Sequence, residues 1–472
     1  MNIWEGLKLS GQRIVWVMIL LIALATMSAA QNPEEMKMVK VEEIYEKIDN
    51  SQPVQYNHVI IIGDLNLTKL YLPIDQNGNK IVASSIQIKN SVFEANLDFE
   101  DSVFLESIDF EGSTFRENAQ FSGAQVDGSA TFENVQFEKD ASFYKSKFKN
   151  TANFNTVEFG GDVTFHDVEF DDDAHFYESN FRGDATFDGS KFNGKAYFDG
   201  ALFNSYVNFE DVLFSKDVSF YQTKFDWNAN FPSANFGGMS YFEGAYFAKN
   251  ANFENAEFDR YVNFNSVRFE EDAVFKGTQF NRDSYFTGTE FGGNLNLDNA
   301  HFSALQIEWA AIKDHLLYND ATYVALIKDY EGLGSFKDAD DSYYQYRNEN
   351  QARETSLGPK LMDILAWLTC GYGVRPLYTV GFSILVCLIF AIFYWASGVV
   401  SKCKCALSSL EEFQSSPLVN SIYFSVMAFV TPHASVEWRP SGNWKFVVLL
   451  EHILGWMIMA LFLVTLGKVI IR

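Results

Sequence analysis

Glu451 is the residue that most demands a chemical explanation. It lies in FVVLLEHILGWMIMALFLVTLG, residues 446–467, where nearly every other side chain except the adjacent His452 is apolar. An ionisable group in such a segment is expensive, so it marks either a side chain facing an ion pathway or a hydrogen-bond partner for a neighbouring helix or subunit. Upstream, SIYFSVMAFVTPHASVEWRPSGNW (421–444) places Tyr423, Phe424 and Ser425 in a helix-sized apolar stretch, and Thr431, Pro432, His433, Ala434 and Ser435 in the polar loop after it. Other reactive residues are sparse. Cys370 and Cys387 sit in apolar runs, Cys403 and Cys405 form a lone C-x-C that makes a poor metal site, and the seven histidines are scattered. Nucleophile-elbow, P-loop, HExxH and dinucleotide fingerprints are missing, so neither an enzyme, a cofactor nor a metal is expected.

The elements that must position Glu451 are membrane elements. PLYTVGFSILVCLIFAIFYWASGVV, residues 376–400, is uncharged for long enough to cross a bilayer, and 446–467 is a second span. Span, half-length helix, irregular loop and span form a pore-loop plan. The stretch 376–472 resembles two-transmembrane potassium-channel pore modules. In those, a YFS pore helix leads through T-T-x-G-Y-G-D into a second helix containing E-x-x-x-G. Tyr423, Phe424 and Ser425 match the pore helix, Thr431 the threonine that opens the filter, Pro440 a following proline, and Glu451 and Gly455 the second helix. The resemblance implies a homotetramer and conduction of monovalent cations. At the filter the match breaks: Pro432, His433, Ala434 and Ser435 stand where VGYG is expected. Glycines permit the backbone angles that aim carbonyls into a filter and proline does not, so potassium selectivity is not carried over.

Most of the chain is something else. Phe99, Phe110, Phe121 and onward by elevens to Leu297 form one register, and Phe104, Phe115, Val126 and onward to Phe302 another; each of the two is Phe at 18 of 19 sites. A fixed period over this length means stacked units. A helical supercoil is excluded, because at about 100° per residue phenylalanines five apart fall on opposite sides of a helix. A small residue two places before each Phe, such as Ala130, Ala141, Ser146 and Val157, gives the period-two alternation of extended backbone. Polar residues between suit tight corners. This small-x-Phe unit resembles the pentapeptide-repeat family, over roughly 93–302. The resemblance implies a right-handed quadrilateral β-helix, here with a sixth residue in every second unit. About 22 residues then make one coil, and nine or ten coils make a solenoid about 45 Å long.

Around the repeat the expected organisation is a signal peptide or anchor over 1–30, an N-terminal helix and solenoid cap over 31–92, the repeat over 93–303, a helical adaptor over 304–355 and the two-span domain over 356–472. Residues 35–49 read as a short charged helix, HVIIIGDLNLTKLYLP as atypical first strands, and Asn319 or Asp320 as a helix cap. Tyr343, Tyr344 and Tyr346 read as packing residues. The 61 acidic against 36 basic residues, net −25, argue against general nucleic-acid affinity. A multi-pass cell-membrane location with lipid as partner is expected, the solenoid outside if the leader is cleaved. Two spans would then return the C-terminus outside, whereas related pore modules keep both ends in the cytoplasm. An uncleaved anchor, an inverted module, or a re-entrant or interfacial segment at KLMDILAWLTCGYGVRP would resolve this. Functionally, an ion-channel-like protein carrying a solenoid stands first. A membrane-anchored structural, adhesion or binding solenoid stands second, and an acidic duplex mimic a distant third.

Overall fold

The computed structural model describes residues 36–399, 416–431 and 444–470. The leader at 1–30, the Cys403/Cys405 pair, Pro440 and the filter-equivalent Pro432, His433, Ala434 and Ser435 lie outside the described residues. A β-solenoid of about 12 turns spans 37–306 and is followed by helices. Its strands sort into four sheets of 12, 12, 11 and 11 members, each taking every fourth strand apart from the first strand of one sheet, which is the four-faced coil the repeat implies. Partners are parallel and, within the phenylalanine repeat, 22 residues apart, as in Phe115↔Phe137 and Phe137↔Phe159. The chain divides into two compact units between Asp272 and Ala273.

In the first unit both inward positions are closed to water: Ala141 is 2% exposed and Phe143 0%. Phe143, Phe165, Phe187, Phe209, Phe231 and Phe253 stack face to face at 4.8 Å per step, the interval between neighbouring strands. A second column through Phe154, Phe176 and Phe198 meets the first edge-on, with Phe143 and Phe154 at 5.3 Å and 88°. Each ring therefore has parallel partners above and below and perpendicular partners beside it, both favourable geometries for the ring quadrupole.

The alternation of five- and six-residue steps reflects two kinds of corner. In the five-residue corner the second residue after Phe is left-handed, as at Asn134 (φ 58°), Lys145 (φ 54°) and Gly200 (φ 66°), and the next amide closes a turn onto the Phe carbonyl, Ser146 N to Phe143 O at 3.0 Å. That conformation explains the Gly, Asn, Asp and Ser at these positions. In the six-residue corner the added residue brings a backbone N–H that a side chain from the preceding coil accepts. Asp140 Oδ1 takes Asp162 N at 2.9 Å, Asp162 Oδ1 takes Asp184 N at 2.9 Å, and Asp173 Oδ1 takes Lys195 N at 2.8 Å. Part of the acidic surface is thus structural.

Coil formation starts earlier than the Phe repeat, which raises the count above nine or ten. Lys37–Lys40, expected to be helical, is a strand paired with Val59–Ile62; Met38 points out and Val39 in, a strand alternation. Helix α1, Val41–Asp49, buries Val41, Ile44 and Ile48. Ile61, Leu65 and Ile86 fill the core in place of Phe.

In the second unit the solenoid runs past 303: Leu305–Gln306 pairs with Ser284–Tyr285, so the adaptor begins later than 304. Helices α2 (Trp309–Ile312), α3 (Asp320–Gly332) and α4 (Phe336–Arg353) follow. Asn319 caps α3 by accepting the amides of Ala321 (2.9 Å) and Thr322 (3.2 Å). Edge groups of the last coil are satisfied by this region: Leu317 N donates to Leu295 O, and Asp329 Oδ2 accepts Leu305 N at 3.0 Å. An open sheet end is thereby covered. Then come α5 (Leu357–Cys370), α6 (Pro376–Ser397), α7 (Pro417–Val430) and α8 (Trp444–Ile470). Of these, α6 and α8 are long and apolar enough to cross a membrane.

Candidate functional site

Helix α7 starts at a sequence-encoded cap, with Pro417 in its first turn and Ser416 Oγ accepting Val419 N. It ends at Thr431, whose amide and hydroxyl both donate to Met427 O, at 3.0 and 2.7 Å. At 14 residues it is about 21 Å long, short of the roughly 30 Å hydrocarbon thickness. Its apolar face joins α6 and α8 in a cluster of Val386, Phe429 and Ile458, and Tyr394 of α6 meets Phe424 edge-on at 5.1 Å.

Glu451 of α8 is fully buried where these three helices meet. Its Oε2 accepts from the Tyr394 hydroxyl of α6 at 2.6 Å, and its Oε1 accepts from the Ser425 hydroxyl of α7. The Ser425 hydroxyl also lies 2.9 Å from Cys387 O of α6. One residue on, His452 Nδ1 is 2.6 Å from Ala428 O, so Nδ1 carries the proton and donates. Nε2 of the same ring is buried without a partner among the described residues. One turn further, Gly455 packs on the Phe429 carbonyl so closely that a Cβ would collide with its oxygen. Residues 451, 452 and 455 of α8 thus engage 425, 428 and 429 of α7. Both sets have helical spacing, so one face of each helix fits the other.

Of the residues singled out in the sequence, Phe424, Ser425, Glu451 and Gly455 come together. Tyr423 points outward, 60% exposed, and Thr431 closes α7 one turn from His452's acceptor. Tyr394 was not expected. It lies 57 residues from Glu451, and its only signal is a hydroxyl-bearing ring in the uncharged segment 376–400, which also holds Tyr378, Thr379, Ser383 and Ser397. Among the described residues no cluster of three His, Cys, Asp or Glu is arranged to hold a metal ion.

A second polar network fastens α4 to the apolar helices that follow it. Arg375, just before α6, pairs with Asp341, and Arg347 pairs with Asp363 of α5. Tyr344 OH receives the Trp367 indole N–H at 2.9 Å and lies 3.0 Å from Tyr378 OH. Tyr346 stacks on Tyr323 at 5.7 Å, and Lys468 near the end of α8 sits over the Tyr343 ring. The tyrosine cluster is interhelical packing. Because Arg375 precedes α6 and Lys468 lies near the end of α8, the start of one long apolar helix and the end of the other both meet α4.

Comparison with known families identifies the solenoid. The family described as pentapeptide repeats (9 copies) matches five successive, overlapping segments, residues 88–136, 132–180, 176–224, 220–268 and 264–305. No curated protein and no solved structure matches the chain.

Proposed function

We propose that this pentapeptide-repeat solenoid is joined through α2–α4 to a tetrameric, pore-type membrane module that conducts monovalent cations. The observation that carries the reading is α7, a helix too short to span, held between two spanning helices by the buried Glu451. An anchor needs only apolar spans, whereas desolvating a carboxylate costs several kcal/mol unless its hydrogen bonds are made. Such a network is worth having where a half-length helix must be held in register. The last carbonyls of α7 have no intrahelical donors and carry the negative end of its dipole, and inside a bilayer they require water, protein or a cation.

The anchored-solenoid reading is favoured by one specific feature, the Pro432-His433-Ala434-Ser435 sequence without glycine, and potassium selectivity is therefore not proposed. Flux of potassium, sodium and chloride from liposomes carrying the purified chain separates the two. Cation flux is expected, lowered by Glu451→Ala and better retained by Glu451→Gln, whose amide can still bond Ser425 and Tyr394. No flux from a verified tetramer would replace this reading with an anchored solenoid. A monomer by native mass spectrometry would remove the tetramer.

A further inference from the structure

Helix α5 is built the wrong way round for water. Its outward arc consists of Leu357, Leu361, Met362, Leu365 and Leu368, exposed by 38–78%, with Trp367 at one flank. Positions 357, 361, 365 and 368 follow the helical period, so this is a continuous stripe. The polar residues are instead turned in or satisfied locally: Asp363 pairs with Arg347 of α4, Lys360 Nζ reaches Glu354 O, and Thr369 Oγ1 bonds Leu365 O. A soluble helix would show the reverse pattern, and a contiguous exposed apolar surface marks a partner.

We propose that α5 is seated in the bilayer surface, with its outward stripe in lipid and its Asp363 face held by α4. The inference rests on the membrane reading of α6 and α8. Four observations favour lipid over a protein partner. The stripe continues into the outward face of α6, where Leu377, Ile384 and Ile389 are also exposed. At 14 residues, about 21 Å, α5 is too short to cross the bilayer. It joins α6 through Gly371, Tyr372 and Gly373, all left-handed at φ 51°, 58° and 81°, an elbow that lets the chain leave the axis of the span. Trp367 carries the signature of the interface: its ring meets Tyr378 at 6.2 Å and its N–H is bonded to Tyr344.

A bilayer-seated α5 makes α4 a clamp between the membrane surface and the spans, because α4 holds Asp363 of α5 through Arg347 and Arg375, just before α6, through Asp341. Spin labels at Leu361, Leu365 and Leu368, placed one at a time in the full chain with its native cysteines replaced and reconstituted in phosphatidylcholine vesicles, test this. Collision with oxygen is expected to exceed collision with a water-soluble nickel chelate, as at Ile389 and Leu463 in the spans and opposite to Val324 of α3. Nickel accessibility like that of Val324, with Ile389 and Leu463 still in lipid, overturns the seating of α5 alone. Protection from both reagents with dipolar broadening assigns the stripe to a second copy and also overturns it. Water accessibility at Ile389 and Leu463 removes the membrane reading itself.

Discussion

Phe187 offers the most direct test of the stacked core. It is fully buried, stacks on Phe165 and Phe209 at 4.8 Å on either side, and meets Phe176 and Phe198 edge-on at 5.6 and 5.5 Å. Phe187→Ala removes a ring with five aromatic neighbours, Phe181 at 6.1 Å being the fifth, and the cavity cannot collapse, because the strand spacing fixes the coils above and below. Truncation of this kind costs about 3–5 kcal/mol. A solenoid couples only to neighbouring coils, so the loss should stay local. Amides within about one coil of 187 should exchange roughly a hundredfold to a few thousandfold faster, while those near Phe99 keep their protection. Phe187→Leu should be milder, since Leu297 stands in the same register. Phe187→Asp should open the region enough for protease to cut it. Unchanged protease resistance, β-type circular dichroism and exchange in the Asp variant would refute the inward stack. Uniform loss of protection along 93–302 would refute its quasi-one-dimensional energetics.

Three further outcomes follow from the corners and the cap. Gly200→Val forces a β-branched residue to φ 66° and brings its Cβ to 3.3 Å from Glu178 Cγ, so local opening should become easier by about 1–2 kcal/mol, read by exchange of the Ala201 amide. Asp162→Ala should expose the Asp184 amide and loosen that corner by about 0.5–1.5 kcal/mol, with Asp162→Asn close to wild type by the same measurement. Burial lifts the Asp329 carboxyl above its ordinary value. The folded state therefore keeps its proton to higher pH than the unfolded chain. That stabilisation is complete below the ordinary carboxylate pKa of about 4 and is lost as pH rises through the folded value. Protection of the Leu305 amide, corrected for intrinsic exchange, should rise as the pH is lowered from neutrality, and Asp329→Asn should flatten that dependence.

The sequence alone determined the solenoid, because a coil contacts only its neighbours and writes the same inward residues every 22 positions. Phe143, Phe165 and Phe187 are both a sequence period and a stack in space. It also determined the two apolar helices and the half-length helix between them, since length and hydropathy are local properties. Only the tertiary structure decided what the inserted sixth residue does: the Asp140-to-Asp162 bond joins residues from different coils, and composition alone presents the same aspartate as solvated charge. The early coils were hidden because Lys37–Lys40 has helix-compatible residues, and its strand state comes from pairing with Val59–Ile62. Glu451 and Ser425 were legible as a motif, but the hydroxyl of Tyr394 was not. Three helices must pack before that hydroxyl meets the carboxylate, and no local period encodes a contact across 57 residues.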